Sequence, residues 1–254
     1  MVKENSIEFK VYGRRALFSE PFSRVGGEKF SYQIPTYQAL KGITESIYWK
    51  PTFSWVIEKV RVMKSIQTES IGIRPINYGG GNTLSYYTYL RDVEYYVKAH
   101  FEWNKNRPNL EFDRDENKHF FIAKRMLERG GRRDIYLGTR ECQGYVEPCC
   151  FGDGKGDYDE LEELSFGMMV HGLTYPDDAE REDEKEKLTV RFWNPVMKKG
   201  VVEFIRPEAC ITRRSVQSMK KTKFGDGDFT GLKEFDSLLK EGGRDLYGMD
   251  AGIK

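Results

Sequence analysis

The chain has 254 residues, long enough for one large domain or two small ones around a sizeable core. Apolar residues make up 39% and charged residues 32%; no apolar run is long enough to span a bilayer and no signal-peptide pattern opens the chain, so a soluble cytoplasmic protein is expected. The net charge of +1 conceals an asymmetry: counted along the sequence, residues 1–150 carry +6, residues 151–187 carry −9 and residues 188–254 carry +4. A basic body favours a polyanionic partner, although a surplus of this size is also common in ordinary soluble proteins.

The first strand signal is "SIEFKVYG", Ser6 to Gly13, where Ile7, Phe9 and Val11 alternate with polar neighbours. In "PTYQALKGITESIYW", Pro35 and Thr36 suit a helix entry, and Tyr37, Leu40, Ile43, Ile47 and Tyr48 recur at spacings of three and four. Pro51 ends that helix. "TFSWVIEKVRVM" alternates through Phe53, Trp55 and Ile57 and then shifts phase to Val60 and Val62, which predicts a strand with a bulge. Residues of "IGIRPINYGGGNTLSYYTYL" read as a long loop, and "VEYYVKAHFEW" as a third strand. "ENKHFFIAKR", Glu116 to Arg125, supplies a second helix closed by Gly130-Gly131, and "RRDIYLGTRECQGYVEP" returns as a fourth strand.

This order predicts an α+β fold with a ferredoxin-like (RRM-like) β-α-β-β-α-β domain over residues 1–150. A small β-rich C-terminal lobe follows over 151–222, with acidic loops expected to be solvated, and residues 223–254 are expected to form a mobile tail. The four cysteines lack a paired zinc spacing and read as reduced structural thiols.

Three histidines limit the search for a general base. His100 alternates with the apolar face of its strand and should point to solvent or an interface; His171 has no evident partner. His119 falls in line with Ile122, Ala123 and Met126, so the pattern alone favours a role at the edge of a buried stripe. Two features add a chemical reading: the first turn of a helix and the neighbouring Lys118 both disfavour an imidazolium, leaving the neutral ring that a general base requires. Lys118 reads as a solvated lysine or, beside helix-start amides, as part of a phosphate site. The arginines of "RGGRRDIYLGTRECQG" can grip phosphates bidentately. Neither a Walker nor a dinucleotide glycine spacing is present, and the carboxylates show no metal-binding spacing, so no cofactor or metal is expected.

The stretches "GRRALFSEPFSRVGGEKFSYQIPTYQALKGITESIYWKPTF", "KAHFEWNKNRPNLEFDRDENKHFFIAKRMLERGGRRDIYLGTRECQGYVEP", "FGMMVHGLTYPDD" and "VRFWNPVMKKGVVEFIRP" span most of residues 6–210. With them the chain resembles the CRISPR-associated RAMP proteins of type I-C (Dvulg subtype) systems, which process precursor CRISPR RNA. The resemblance implies a metal-independent endoribonuclease that cuts the repeat at the base of a hairpin, leaves a 2′,3′-cyclic phosphate, and stays on the 5′ handle of the guide RNA among the other subunits of a Cascade complex. It implies catalysis by a tyrosine, a lysine and a histidine, matched here by Tyr48 in "SIYWKP" and Lys118 and His119 in "NKH". Lys124, Arg132, Arg133 and Arg140 are the expected RNA contacts. The alternatives are a handle-binding structural subunit without catalysis, and a protein that binds DNA without sequence preference or nicks it. If the catalytic reading holds, the ends of the two helices must converge within reach of one phosphate.

Overall fold

A computed structural model of the chain describes residues 5–21, 27–76 and 79–220. The elements are β1 (Ser6–Ala16), β2 (Lys29–Phe30), α1 (Tyr37–Ile47), β3 (Phe53–Val62), β4 (Thr68–Ile73), β5 (Ser85–Trp103), α2 (Glu116–Glu128), β6 (Ile135–Tyr136) and β7 (Gln143–Pro148). They continue with β8 (Leu164–Ser165), β9 (Met169–Thr174), β10 (Lys187–Trp193), β11 (Val196–Lys198), β12 (Val201–Glu203) and β13 (Thr212–Ser218). Mixed α/β structure dominated by antiparallel sheets results. Among the described residues, β6-β7-β1-β5-β3-β12-β11-β8 form the path of a ten-stranded sheet, with β2 and β4 also paired to β5, and β13-β10-β9 form a second sheet. The expected mobile tail, residues 223–254, lies outside the described residues.

Alternation explains the main sheet. Phe9 and Val11 of β1, Val60 of β3 and Val97 and Ala99 of β5 are all fully buried, each on the strand face that meets the helices' apolar stripes. The phase shift expected in β3 is present: pairing with β5 slips between Ile57 and Lys59, leaving Glu58 unpaired in the ladder. Register also sets Phe53 opposite Trp103 and Trp55 opposite Phe101, so the β3–β5 ladder ends in an aromatic group. The Phe53 and Phe101 rings lie 4.9 Å apart and Phe53 meets Trp55 edge-on at 5.7 Å; each such pair contributes about 0.5–1.5 kcal/mol beyond its buried area.

Both helices start on side-chain caps. The Thr36 hydroxyl accepts from Ala39 N at 3.1 Å and the Asp115 carboxylate from Lys118 N at 3.0 Å. α1 packs on β3, and α2 on β1 and β7. Tyr48 leaves α1 with extended backbone (φ −159°, ψ 132°), which directs its side chain off the helix axis. At the end of α2, Gly130 (φ 84°) and Gly131 (φ 107°) donate to Leu127 O and Met126 O, the paired bonds of a Schellman ending that requires a left-handed residue. The chain then turns onto the end of α1, where the Arg132 and Arg133 amides donate to Ser46 O at 3.1 and 3.0 Å.

Several expectations are corrected. The long loop before the third strand contains the end of β4 and the first third of β5, and these two strands pair from Thr68 with Leu90 to Ile73 with Ser85. The single fourth strand is a hairpin of β6 and β7, Ile135 opposite Gly144. Gly138 in its turn has φ 96°, and a Cβ there would sit 2.0 Å from the Leu17 carbonyl oxygen, so no other residue fits.

His100 does not face solvent. It is 4% exposed, and its ring nitrogens lie 2.6 Å from a Glu58 carboxylate oxygen and 3.2 Å from one of Glu102. The bulge supplies the first partner, and Arg206, after β12, holds Glu102.

Most carboxylates of the acidic segment are exposed, as expected of solvated loops, but several are also tied to the body. Asp159 holds Arg61 at 2.8 Å, Asp157 accepts from Ser65 N and Oγ, Asp177 pairs with Arg107 at 2.8 Å and Asp178 with Lys41 at 3.1 Å. Glu184, buried, accepts both bonds from one Arg213 nitrogen at 2.8 Å. The negative segment therefore consumes part of the positive charge of the body. All four cysteines are free thiols, and burial pushes Cys142 and Cys149 upward, Cys149 to about 12, which keeps them protonated.

Candidate active site

Tyr48 and His119, 71 positions apart, are in direct contact: Tyr48 Oη lies 2.9 Å from His119 Nδ1. The other ring nitrogen, Nε2, is 2.7 Å from the Asp113 carbonyl oxygen. A carbonyl only accepts, so Nε2 carries the proton and donates it, and Nδ1 accepts from the Tyr48 hydroxyl. Phe53 at 5.2 Å, Trp103 at 5.8 Å and Phe101 at 6.3 Å meet the imidazole edge-on, so the aromatic end of the β3–β5 ladder forms its walls. His119 is 0% exposed and Tyr48 2%, whereas Lys118, the preceding residue on α2, points outward with its side chain 48% exposed.

The polar surroundings hold this arrangement. Trp55 Nε1 donates to Tyr48 O at 2.7 Å, which pins the tyrosine backbone. Burial raises the Tyr48 phenol above its ordinary value, Asp113 adds to the rise and Arg132 opposes it, so the hydroxyl keeps its proton at neutral pH. Asp113, at the end of a 3-10 turn (Pro108–Asp113), holds the Lys118 ammonium at 2.5 Å and accepts from the Thr52 hydroxyl at 2.7 Å. Those two bonds, the lysine's first, keep its carboxyl below the usual carboxylate range.

The expected trio thus comes together, with Lys118 reached through Asp113. Among the expected RNA contacts, Arg132 and Arg133 lie where the α2 exit meets the α1 end. Both side chains are exposed and make no ion pair with any described residue. Lys124 on α2 and Arg140 in the β6–β7 turn are also exposed, and neither bonds to the trio. Asp113 and Thr52 had no marking in the sequence; a capping pattern identifies Asp115, and nothing distinguishes Asp113 from the other acids of "LEFDRDEN". Among the described residues no group of three His, Cys, Asp or Glu side chains is placed to hold a metal ion, and no helix is long and apolar enough to cross a membrane.

The profile of the CRISPR-associated protein (Cas_Cas5) family, in its Cas5d form, matches residues 6–205. The chain belongs to the Cas5d family. A CRISPR pre-crRNA endoribonuclease Cas5d of Mannheimia succiniciproducens is 40% identical over 227 residues, covering 78% of this chain and 94% of the relative. Its counterpart from Thermus thermophilus is 29% identical over 185 residues, covering 69% and 76%. A crystal structure of a CRISPR-associated protein superposes with a TM-score of 0.70 at 36% identity, covering 82% of this Cas5d chain and 96% of the other. Both "SIYWKP" and "ENKHFF" fall inside the matched family region.

Proposed function

We propose that this Cas5d protein is a pre-crRNA endoribonuclease whose reaction centre is Tyr48, Lys118 and His119. The observation that carries the reading is the 2.9 Å contact between Tyr48 Oη and His119 Nδ1, beside an exposed lysine, in a chain whose relatives are named for this activity. RNA can be cut without metal when the ribose 2′-hydroxyl attacks the adjacent phosphate. His119 acts as the base through Tyr48: as the 2′-hydroxyl gives its proton to the phenol oxygen, the phenol passes its own to Nδ1. The 2′-oxygen bonds phosphorus, the P–O5′ bond breaks, and the products are a 2′,3′-cyclic phosphate and a 5′-hydroxyl. The proton taken up at Nδ1 returns through solvent to the 5′-oxygen, so none is consumed overall. Lys118, on the exposed side, offsets the charge of the phosphorane.

The order β7-β1-β5-β3 with α1 and α2 between supports a ferredoxin-like reading of the first part of the chain, with residues 151–222 as a β-rich lobe. Arg132 and Arg133, then Lys124 and Arg140, extend the phosphate track from Lys118. In this reading the protein works in the cytoplasm, keeps the 5′ handle of its product and joins the other subunits of a type I-C Cascade complex.

A second reading, a handle-binding subunit without catalysis, is favoured by one observation: His119 is fully buried with both nitrogens bonded. Incubating purified protein with RNA of its own repeat in EDTA separates the two. Cleavage to a cyclic phosphate and a 5′-hydroxyl supports the first; intact RNA that stays bound supports the second. Duplex DNA binding that is steep in salt and blind to sequence marks the DNA alternative.

A further inference from the structure

Asp113 touches both ends of the Lys118-His119 pair. Its backbone carbonyl takes the His119 Nε2 proton at 2.7 Å. One carboxylate oxygen holds Lys118 Nζ at 2.5 Å; the other accepts from Thr52 Oγ1 at 2.7 Å and lies 3.5 Å from His119 Nε2. We propose that Asp113 is a positioning residue and a latch: it holds Lys118 until an RNA phosphate takes the lysine, and it then serves as countercharge to the protonated His119 ring. This rests on the endoribonuclease reading above.

Charge balance is the reason. At rest the site contains one carboxylate and one ammonium. When RNA binds, the phosphate pairs with Lys118 and the freed carboxylate, still tied to Thr52, faces the ring that takes up the 2′-hydroxyl proton. Each positive group then faces a negative one, Lys118 the phosphate and the protonated ring the Asp113 carboxylate, which a buried imidazolium requires, since an unpaired charge in such surroundings is costly. Among the described residues packed on the ring, Asp113 alone supplies negative charge. Those residues are Tyr48 from the end of α1, Phe53 from β3, Phe101 and Trp103 from β5, and Asp113 and Lys118 around the start of α2. Arg132 is the remaining charged group felt by Tyr48, and it is positive. The carboxyl is held below its ordinary range by Lys118 and then Thr52, so it is ionised throughout the working pH range.

Asp113→Asn keeps the side-chain shape, the Thr52 acceptor and the backbone carbonyl while removing the charge. Three results are expected in a variant whose thermal melt shows it folded. Single-turnover cleavage falls at least tenfold, and the acid limb of the pH–rate profile moves to lower pH because the ring has lost its countercharge. RNA made uncleavable by a 2′-deoxy nucleotide at the cut binds more tightly at low salt, and its log–log salt slope steepens by about one ion, the released lysine. Asp113→Glu restores part of the rate. An Asn variant with the parent's rate and pH profile overturns the proposal. So does one that loses cleavage and RNA affinity together, the pattern of plain structural support; if Asp113→Asn does not fold, Asp113→Glu is read for the same shifts in reduced size. Should the parent not cleave at all, the endoribonuclease reading fails by itself, while the binding and salt arms still decide whether Asp113 latches Lys118.

Discussion

Two histidines of this protein are equally buried and differently equipped. His119 and His171 are both 0% exposed, both donate from Nε2 to a backbone carbonyl (Asp113 at 2.7 Å, Ile205 at 2.8 Å), and both sit among aromatic rings. The difference lies at the remaining edge. His171 Nδ1 faces the Arg191 guanidinium at 3.5 Å, with Tyr37 stacked on the ring at 4.4 Å. Burial first and Arg191 next push His171 down to about 3, so it stays a neutral structural acceptor. His119 instead faces a hydroxyl that can deliver a proton and a carboxylate that can balance it. Burial therefore does not separate the two rings; what lies at the free edge does, a guanidinium for His171 and, for His119, the hydroxyl that the proposed relay uses together with a carboxylate.

The comparison breaks most visibly in cleavage. His119→Gln is expected to lower the single-turnover rate roughly a hundred- to ten-thousandfold with RNA affinity kept, and Tyr48→Phe to lower it in the same range, because the relay passes through that hydroxyl. His171→Gln, per folded molecule, leaves the rate unchanged; an equal loss there would erase the distinction. In stability the ranking reverses. His171→Ala opens a cavity among Tyr37, Trp193 and Phe204 and is expected to cost about 2–5 kcal/mol in urea unfolding.

A pH titration sharpens the contrast. With a folded pKa depressed to about 3 against the ordinary 6.5, the unfolded chain gains a proton below pH 6.5 that folded His171 refuses. Its contribution is thus complete above pH 6.5 and lost as pH falls toward 3, at up to about 1.4 kcal/mol per pH unit; His171→Phe should flatten that slope. The smallest expected effect is at the rim: Arg132→Ala weakens RNA binding and lowers the salt slope by about one ion, measured by filter binding at several salt concentrations.

The sequence made the helices legible because their signals are local: Thr36 as cap, spacings of three and four, and a Gly-Gly ending. The bulge in β3 was legible for the same reason, as a break in alternation. What stayed hidden depends on distant partners. β4 and the start of β5 are half-exposed, with Tyr86 and Leu84 facing outward beside a glycine-rich run, so no apolar alternation marked them. The ion pairs of the acidic segment were hidden because Arg61, Lys41 and Arg107, which make them, lie elsewhere in the chain. At the site, the Lys118-His119 pair is marked by its place in the first turn of a helix and Tyr48 only by the family resemblance, while Asp113 and Thr52 meet only in three dimensions.

The most direct test is the single-turnover rate at which the purified protein cuts its own repeat RNA in EDTA, measured for the parent and for His119→Gln. The proposed site predicts cleavage by the parent to a 2′,3′-cyclic phosphate and a loss of at least roughly a hundredfold in the variant at unchanged RNA affinity. Equal rates in the two proteins would contradict it.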